Sequence, residues 1–305
     1  MPSMIELVAG GIRGVSRVSP RLGGDLAYRA FFSTAPRMRV RESARAVHDS
    51  ARRSVLRLPG GEAEAFEWGA GERSALLLHG WKGRASQFVP VVERLVGDGF
   101  RVVAFDAPAH GDSPGRRTDV RDWIAAAEVL AERHGSFDVL VGHSFGSLAA
   151  LTLARSTLPT PRVAVVAGAA SPEAFVDAFV SDFRLRIASA DRLRERFRRR
   201  LGVDEAELVR RYDAVRDPLP AETELLLVHD RGDRRLADRD AVRLCEVHGD
   251  RARLLRTAGL GHSRILAADA VLDAISGFAR GGLDGVAPAT GNADIGSALV
   301  DPPPA

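Results

Sequence analysis

From residue 75 onward, short apolar runs alternate with longer segments of helical period, and that rhythm leaves few architectures open. The runs Ala75–Leu78, Arg101–Phe105, Phe137–Val141, Arg162–Ala167, Glu224–Val228 and Arg253–Arg256 have the length of strands. Between them, Gln87–Val96, Asp119–Arg133, Ser144–Arg155, Leu236–Val247 and Ser263–Phe278 read as helices. Strand and helix in strict alternation predict a mostly parallel sheet flanked by helices, joined by right-handed crossovers.

The rest of the chain departs from that rhythm. Residues 1–53, rich in Arg, Ala and small residues, read as an N-terminal helical extension, and two short segments around Pro59-Gly60-Gly61 read as a hairpin. Residues 171–221 interrupt the strand order with about fifty residues where about two to six are usual, which predicts a helical cap inserted after the sixth strand. It would divide the α/β core into 54–170 and 222–281. Within it Leu193, Phe197 and Leu201 recur every fourth residue while Arg192, Arg194, Arg196, Arg198, Arg199 and Arg200 fall elsewhere, predicting an amphipathic helix with a basic exposed side. Asp204 and Glu207 open a second helix in a capping-box arrangement. The Gly-, Ala- and Pro-rich stretch 282–305 reads as a disordered tail.

Charge excludes little. The chain of 305 residues has 43 basic residues against 40 acidic ones, and Lys82 is its only lysine. Such a balance reflects a preference for arginine more than a nucleic-acid footprint, which requires basic residues gathered on one face. Cys245 is the only cysteine, so no internal disulfide forms. The apolar start, Ile5 to Ala9, is broken by glycines and followed by arginines, unlike a signal core or a membrane span, and a cytoplasmic protein is expected. No His/Cys/Asp set has metal-ligand spacing and no glycine-rich phosphate loop occurs, so neither metal nor cofactor is expected.

The strongest chemical signal is Gly142-His143-Ser144-Phe145-Gly146, directly after an apolar strand and directly before a helix. Two glycines let the chain turn sharply so that the Ser144 hydroxyl projects above the sheet. The helix that follows directs its free N–H groups toward any oxyanion forming there. Ser144 is the expected nucleophile.

With that turn the chain resembles the α/β-hydrolase family, and further segments match in order. Leu76-Leu77-Leu78-His79-Gly80-Trp81 is similar to the strand and turn that supply the second oxyanion donor, which implies that Trp81 N–H joins Phe145 N–H. Asp106-Ala107-Pro108-Ala109-His110-Gly111-Asp112-Ser113 resembles the family's D-x-P-G-H-G-x-S turn, with Ala109 in place of the usual glycine; that turn is structural in the family. The family order, nucleophile then acid then histidine, places the acid after the strand Leu225–Val228, where Asp230 and Asp233 both stand. The resemblance favours Asp233, with Asp230 left to hold the turn. The histidine would be His262, in Thr257-Ala258-Gly259-Leu260-Gly261-His262-Ser263.

The implied activity is hydrolysis of a carboxylic ester of a small molecule by an acyl-enzyme route. The same three residues would also serve thioester, lactone or carbon–carbon hydrolysis, or cofactor-free perhydrolysis. A non-catalytic scaffold binding an acidic partner through the arginine-rich helix is the third reading.

Overall fold

The computed structural model describes residues 4–287 and 294–296. Nine strands form one sheet: β1 (Arg52–Leu58), β2 (Gly61–Trp68), β3 (Ser74–Leu78), β4 (Arg101–Asp106), β5 (Val139–His143), β6 (Arg162–Val166), β7 (Glu224–Asp230), β8 (Ala252–Thr257) and β9 (Asp294–Gly296). Their spatial order is β1-β2-β4-β3-β5-β6-β7-β8-β9. The six strands from β4 to β8 run parallel, whereas the β1–β2 hairpin and β9 add antiparallel edges. The fold is that of an α/β hydrolase.

Helices α1 (Met4–Val18), α2 (Pro20–Phe31) and α3 (Glu42–Asp49) precede the hairpin. Helices α4 (Val89–Gly97), α5 (Val120–His134) and α6 (Phe145–Ala154) follow β3, β4 and β5. Between β6 and β7 lie α7 (Pro172–Asp182), α8 (Ile187–Leu201) and α9 (Glu205–Tyr212); α10 (Arg239–His248) follows β7, and α11 (Gly261–Arg264) and α12 (Asp269–Gly281) follow β8.

Strand alternation divides the core. Leu76 and Leu78 of β3 join a cluster with Trp123, Leu130, Leu148 and Leu151 of α5 and α6, while Ala75 and Leu77 join the opposite one with Val91, Leu95, Ile275 and Phe278 of α4 and α12. A sheet buried on both faces holds its strand ends still, and the loops there inherit that rigidity.

Four expectations are corrected. Strand β5 begins at Val139, not Phe137, because Asp138 is held to Ser74: its carboxylate accepts the Ser74 N–H at 2.7 Å and its own N–H donates to Ser74 O at 2.9 Å. The expected helix 263–278 is divided, since Ala268 takes extended angles (φ −82°, ψ 130°) and Ile265 and Leu266 are buried at the break. Part of the stretch expected as a disordered tail is ordered: Gly282–Gly285 forms a short 3-10 turn with Leu283 buried, Val286 is buried too, and β9 pairs with β8. The remainder of that stretch, 288–293 and 297–305, lies outside the described residues.

The fourth concerns α8. Its apolar positions Leu193, Phe197 and Leu201 are buried as expected, yet its basic side is largely engaged. Asp25 of α2 receives both Arg192 (2.9 Å) and Arg196 (3.0 Å), Arg194 meets Asp177 at 2.8 Å, and Arg200 reaches Asp119 at 3.0 Å. Gly24 lets the two helices close: a Cβ there would lie 2.5 Å from the Arg192 Cβ. Among the described residues no helix is long and apolar enough to cross a membrane.

Candidate active site

Strand β5 ends at His143 and α6 begins at Phe145, leaving Ser144 alone in the turn with φ 54° and ψ −122°. Positive φ is disfavoured for a residue with a Cβ, and the turn holds because its neighbours fix both flanks. Ser144 N–H donates to Val166 O at 2.9 Å. On the other side, α6 presses against the end of β3: a Cβ at Gly146 would stand 2.0 Å from Leu78 O. The turn after β3 is equally close, since a Cβ at Gly80 would lie 2.8 Å from the Ser144 Cβ. Glycine at both positions is therefore a steric requirement.

His262 arrives on α11, behind Gly259 (φ 82°) and Gly261 (φ 66°). Its Nε2 lies 2.9 Å from Ser144 Oγ and its Nδ1 lies 2.7 Å from Asp233 Oδ2. An ionised carboxylate only accepts, so Nδ1 carries the hydrogen and Nε2 is left to accept from the serine hydroxyl. Asp233 is itself held: its other oxygen accepts N–H groups of Arg235 (2.8 Å) and Leu236 (3.3 Å). Burial alone would raise its carboxyl pKa, but the His262 hydrogen bond and charge and those two N–H groups lower it.

Asp230, the competing acid, faces away from His262. Its carboxylate accepts N–H groups of Gly232 (2.9 Å) and Leu260 (2.9 Å) and the Thr257 hydroxyl (2.8 Å), tying the β7 turn to the β8 loop. These bonds outweigh burial and lower its pKa. It thereby sets the position of the loop that delivers His262.

Two histidines that sequence reasoning left ordinary brace this arrangement. His143 Nε2–H donates to the carbonyl of His262 at 2.8 Å, and burial, with the nearby His262, pushes its pKa down to about 3, so it stays neutral. His229 Nε2–H donates to Leu236 O at 2.9 Å and sits 3.6 Å from Asp233 Oδ2. His229 stands four residues before Asp233, a local spacing that could have drawn attention; the His143–His262 contact spans 119 residues and left no such signal.

The expected oxyanion donors, Trp81 and Phe145, both border Ser144. Phe145 is the first residue of α6, and among the described residues neither its N–H nor that of Trp81 has an acceptor. Their rings meet edge to face at 5.3 Å, Trp81 stacks on Trp123 at 5.9 Å, and Phe175 of α7 meets Phe145 at 5.5 Å. The Trp81 indole N–H donates to Ser33 O at 3.0 Å, so the segment after α2 is fastened to the turn beside the serine. The resembling turn at 106–113 is a scaffold: Asp106 accepts N–H groups of Ala85 (2.6 Å) and Asp112 (2.8 Å), and Ala109 takes φ 64° in the usual glycine position. Among the described residues no group of three or more His, Cys, Asp or Glu could hold a metal ion.

Comparison with known proteins agrees with this geometry. The alpha/beta hydrolase family matches residues 75–274, and the chain belongs to that family. An esterase from Pyrococcus furiosus is similar with a TM-score of 0.57 at 16% identity, covering 77% of this chain and 91% of that one. The esterase domain of a Rhodothermus marinus protein gives 0.56 at 19% identity over 76% and 99%. A thioesterase domain from the curacin biosynthetic pathway gives 0.52 at 17% identity over 76% and 99%. At such identities the likeness is one of fold. No curated protein sequence matches.

Proposed function

We propose that the protein is a serine hydrolase cleaving a carboxylic ester of a small molecule through an acyl-enzyme intermediate. The observation that carries this reading is the unbroken series Ser144 Oγ, His262 Nε2, His262 Nδ1, Asp233 Oδ2, with steps of 2.9 and 2.7 Å. Ser144 attacks the ester carbonyl carbon while His262 takes its proton, and Asp233 stabilises the imidazolium. The negative charge forming on the carbonyl oxygen is met by the Trp81 and Phe145 N–H groups at the positive end of α6. The intermediate collapses as His262 returns the proton to the leaving alcohol. Water then repeats the sequence on the acyl-Ser144 ester, releasing the acid and restoring the serine.

Helices α7, α8 and α9 act as a cap, with Phe175 supplying apolar surface beside Phe145. Together with Trp81 this favours an apolar acyl or alcohol group next to the serine. A fluorophosphonate should label Ser144, and Ser144→Ala should lower kcat on p-nitrophenyl acetate by roughly 10^3-fold or more. A folded, unlabelled wild-type protein would overturn the reading.

A further inference from the structure

Between α2, the segment after it, the loop at 115–117 and α8 lies a cleft of about 660 Å³. Six arginines line it: Arg29, Arg37, Arg116, Arg117, Arg196 and Arg200. No carboxylate is among the described residues lining it. Two carboxylates stand behind the wall, Asp25 on Arg196 and Asp119 on Arg200, so cations outnumber them. Like charges around one concave surface repel, and the arrangement is favourable only when an anion neutralises it.

The cations are of two kinds. Arg196 lies over the Tyr28 ring at 4.3 Å, Arg200 lies over the Phe32 ring at 4.5 Å, and Arg37 is fixed by the carbonyls of Ser113 and Gly115 at 2.7 Å each. These three are held in place before any ligand arrives. Arg29, Arg116 and Arg117 make no hydrogen bond or ion pair among the described residues and can turn toward a bound group. Several guanidinium forks converging on one space suit a phosphate or pyrophosphate, whose many oxygens each accept; a single carboxylate would occupy one fork.

The cleft also touches the site. Phe32 and Ser33 line it, Phe32 meets the Trp81 ring at 6.1 Å, and Ser33 O holds the Trp81 indole N–H. One indole, in the turn that packs on Ser144, separates the two. We propose that this cleft binds the phosphate-bearing end of the substrate, so that the compounds cleaved at Ser144 are acyl esters or thioesters of a phosphorylated alcohol or thiol. The word substrate rests on the hydrolase reading above; the phosphate site does not.

The test uses the full chain. Calorimetry of the Ser144→Ala protein with pyrophosphate should show saturable binding that weakens as salt rises. Substituting Arg116→Ala and Arg117→Ala together should weaken it by about tenfold or more, and Arg29→Ala should weaken it independently. Both arginines are exposed loop residues, so folding is preserved. With Ser144 intact, the double variant should raise KM for a phosphate-bearing acyl ester by about tenfold and leave a neutral ester of the same acyl group unchanged. No pyrophosphate binding, or binding indifferent to all three arginines, overturns the proposal. Sedimentation with phosphatidic acid vesicles without pyrophosphate binding would assign the arginines to a lipid surface and also overturn it. Pyrophosphate binding in a protein whose Ser144 resists fluorophosphonate would leave the phosphate site standing and remove the hydrolase reading.

Discussion

His143, the residue before the nucleophile, donates its Nε2–H to the backbone carbonyl of His262 at 2.8 Å. The strand that presents Ser144 thus grips the loop that presents its base, and the 2.9 Å step between their side chains is fixed from behind. His143→Ala should therefore lower kcat by about 10- to 100-fold with little change in KM, because the base loses its register but keeps its chemistry. His143→Gln keeps a donor at the same reach and should recover most of the loss. Equal kcat in wild type and His143→Ala would show that the brace is idle.

Asp233 and Asp230 should separate by what they damage. Asp233→Asn presents the wrong hydrogen-bonding partner to His262 Nδ1 and should cost about 10^3- to 10^4-fold in kcat while the denaturation midpoint hardly moves. Asp230→Ala leaves the N–H groups of Gly232 and Leu260 without their acceptor, so it should destabilise the fold by about 2–3 kcal/mol. The check is denaturant unfolding run beside kcat on both variants; a Asp233→Asn protein with full activity would return the acid's role to its neighbour.

Acid should unfold the protein through its buried histidines. Burial pushes His79 down to about 4, and His110 and His143 to about 3, from an ordinary value of 6.5. Between those limits the unfolded chain binds protons that the folded chain refuses. Stability is then fully present above pH 6.5 and falls as the solution is acidified toward 3–4, by up to about 1.4 kcal/mol per pH unit for each histidine. Urea midpoints measured from pH 7.5 downward should drop steeply, and a flat profile would contradict the three shifts.

Trp81→Phe should leave the ring contacts near Ser144 in place while removing the bond from the indole to Ser33 O. Turnover should change by less than about 3-fold, yet the fold should lose about 1 kcal/mol and the segment after α2 should be cut faster by protease. Unaltered cleavage rates would mean that this bond does not fasten the segment.

Much of this architecture was legible because its causes are local. The elbow at Ser144 is written in two glycines a fixed distance from the serine, with a strand before and a helix after. Glycines also mark the loop that brings His262. Asp230 and Asp233 were inseparable in one dimension, since both lie on the same short turn and only the side-chain directions differ. The division of α11 from α12 at Ala268 carries no proline or glycine; burial of Ile265 and Leu266 decides it. Nor could the role of the first helices be read, because Asp25 and Arg192 are 167 residues apart. The arginines of α8 looked solvated by composition, whereas α2 supplies their counter-charge.

The Asp25 bridge to Arg192 and Arg196 joins the beginning of the chain to a piece inserted far downstream. Any opening above Ser144 must carry both along as a single body, or else break an electrostatic latch made of one carboxylate and two guanidinium groups. Ionic strength thereby becomes a control on entry: salt that screens the latch would quicken access to the serine without altering the chemistry performed there.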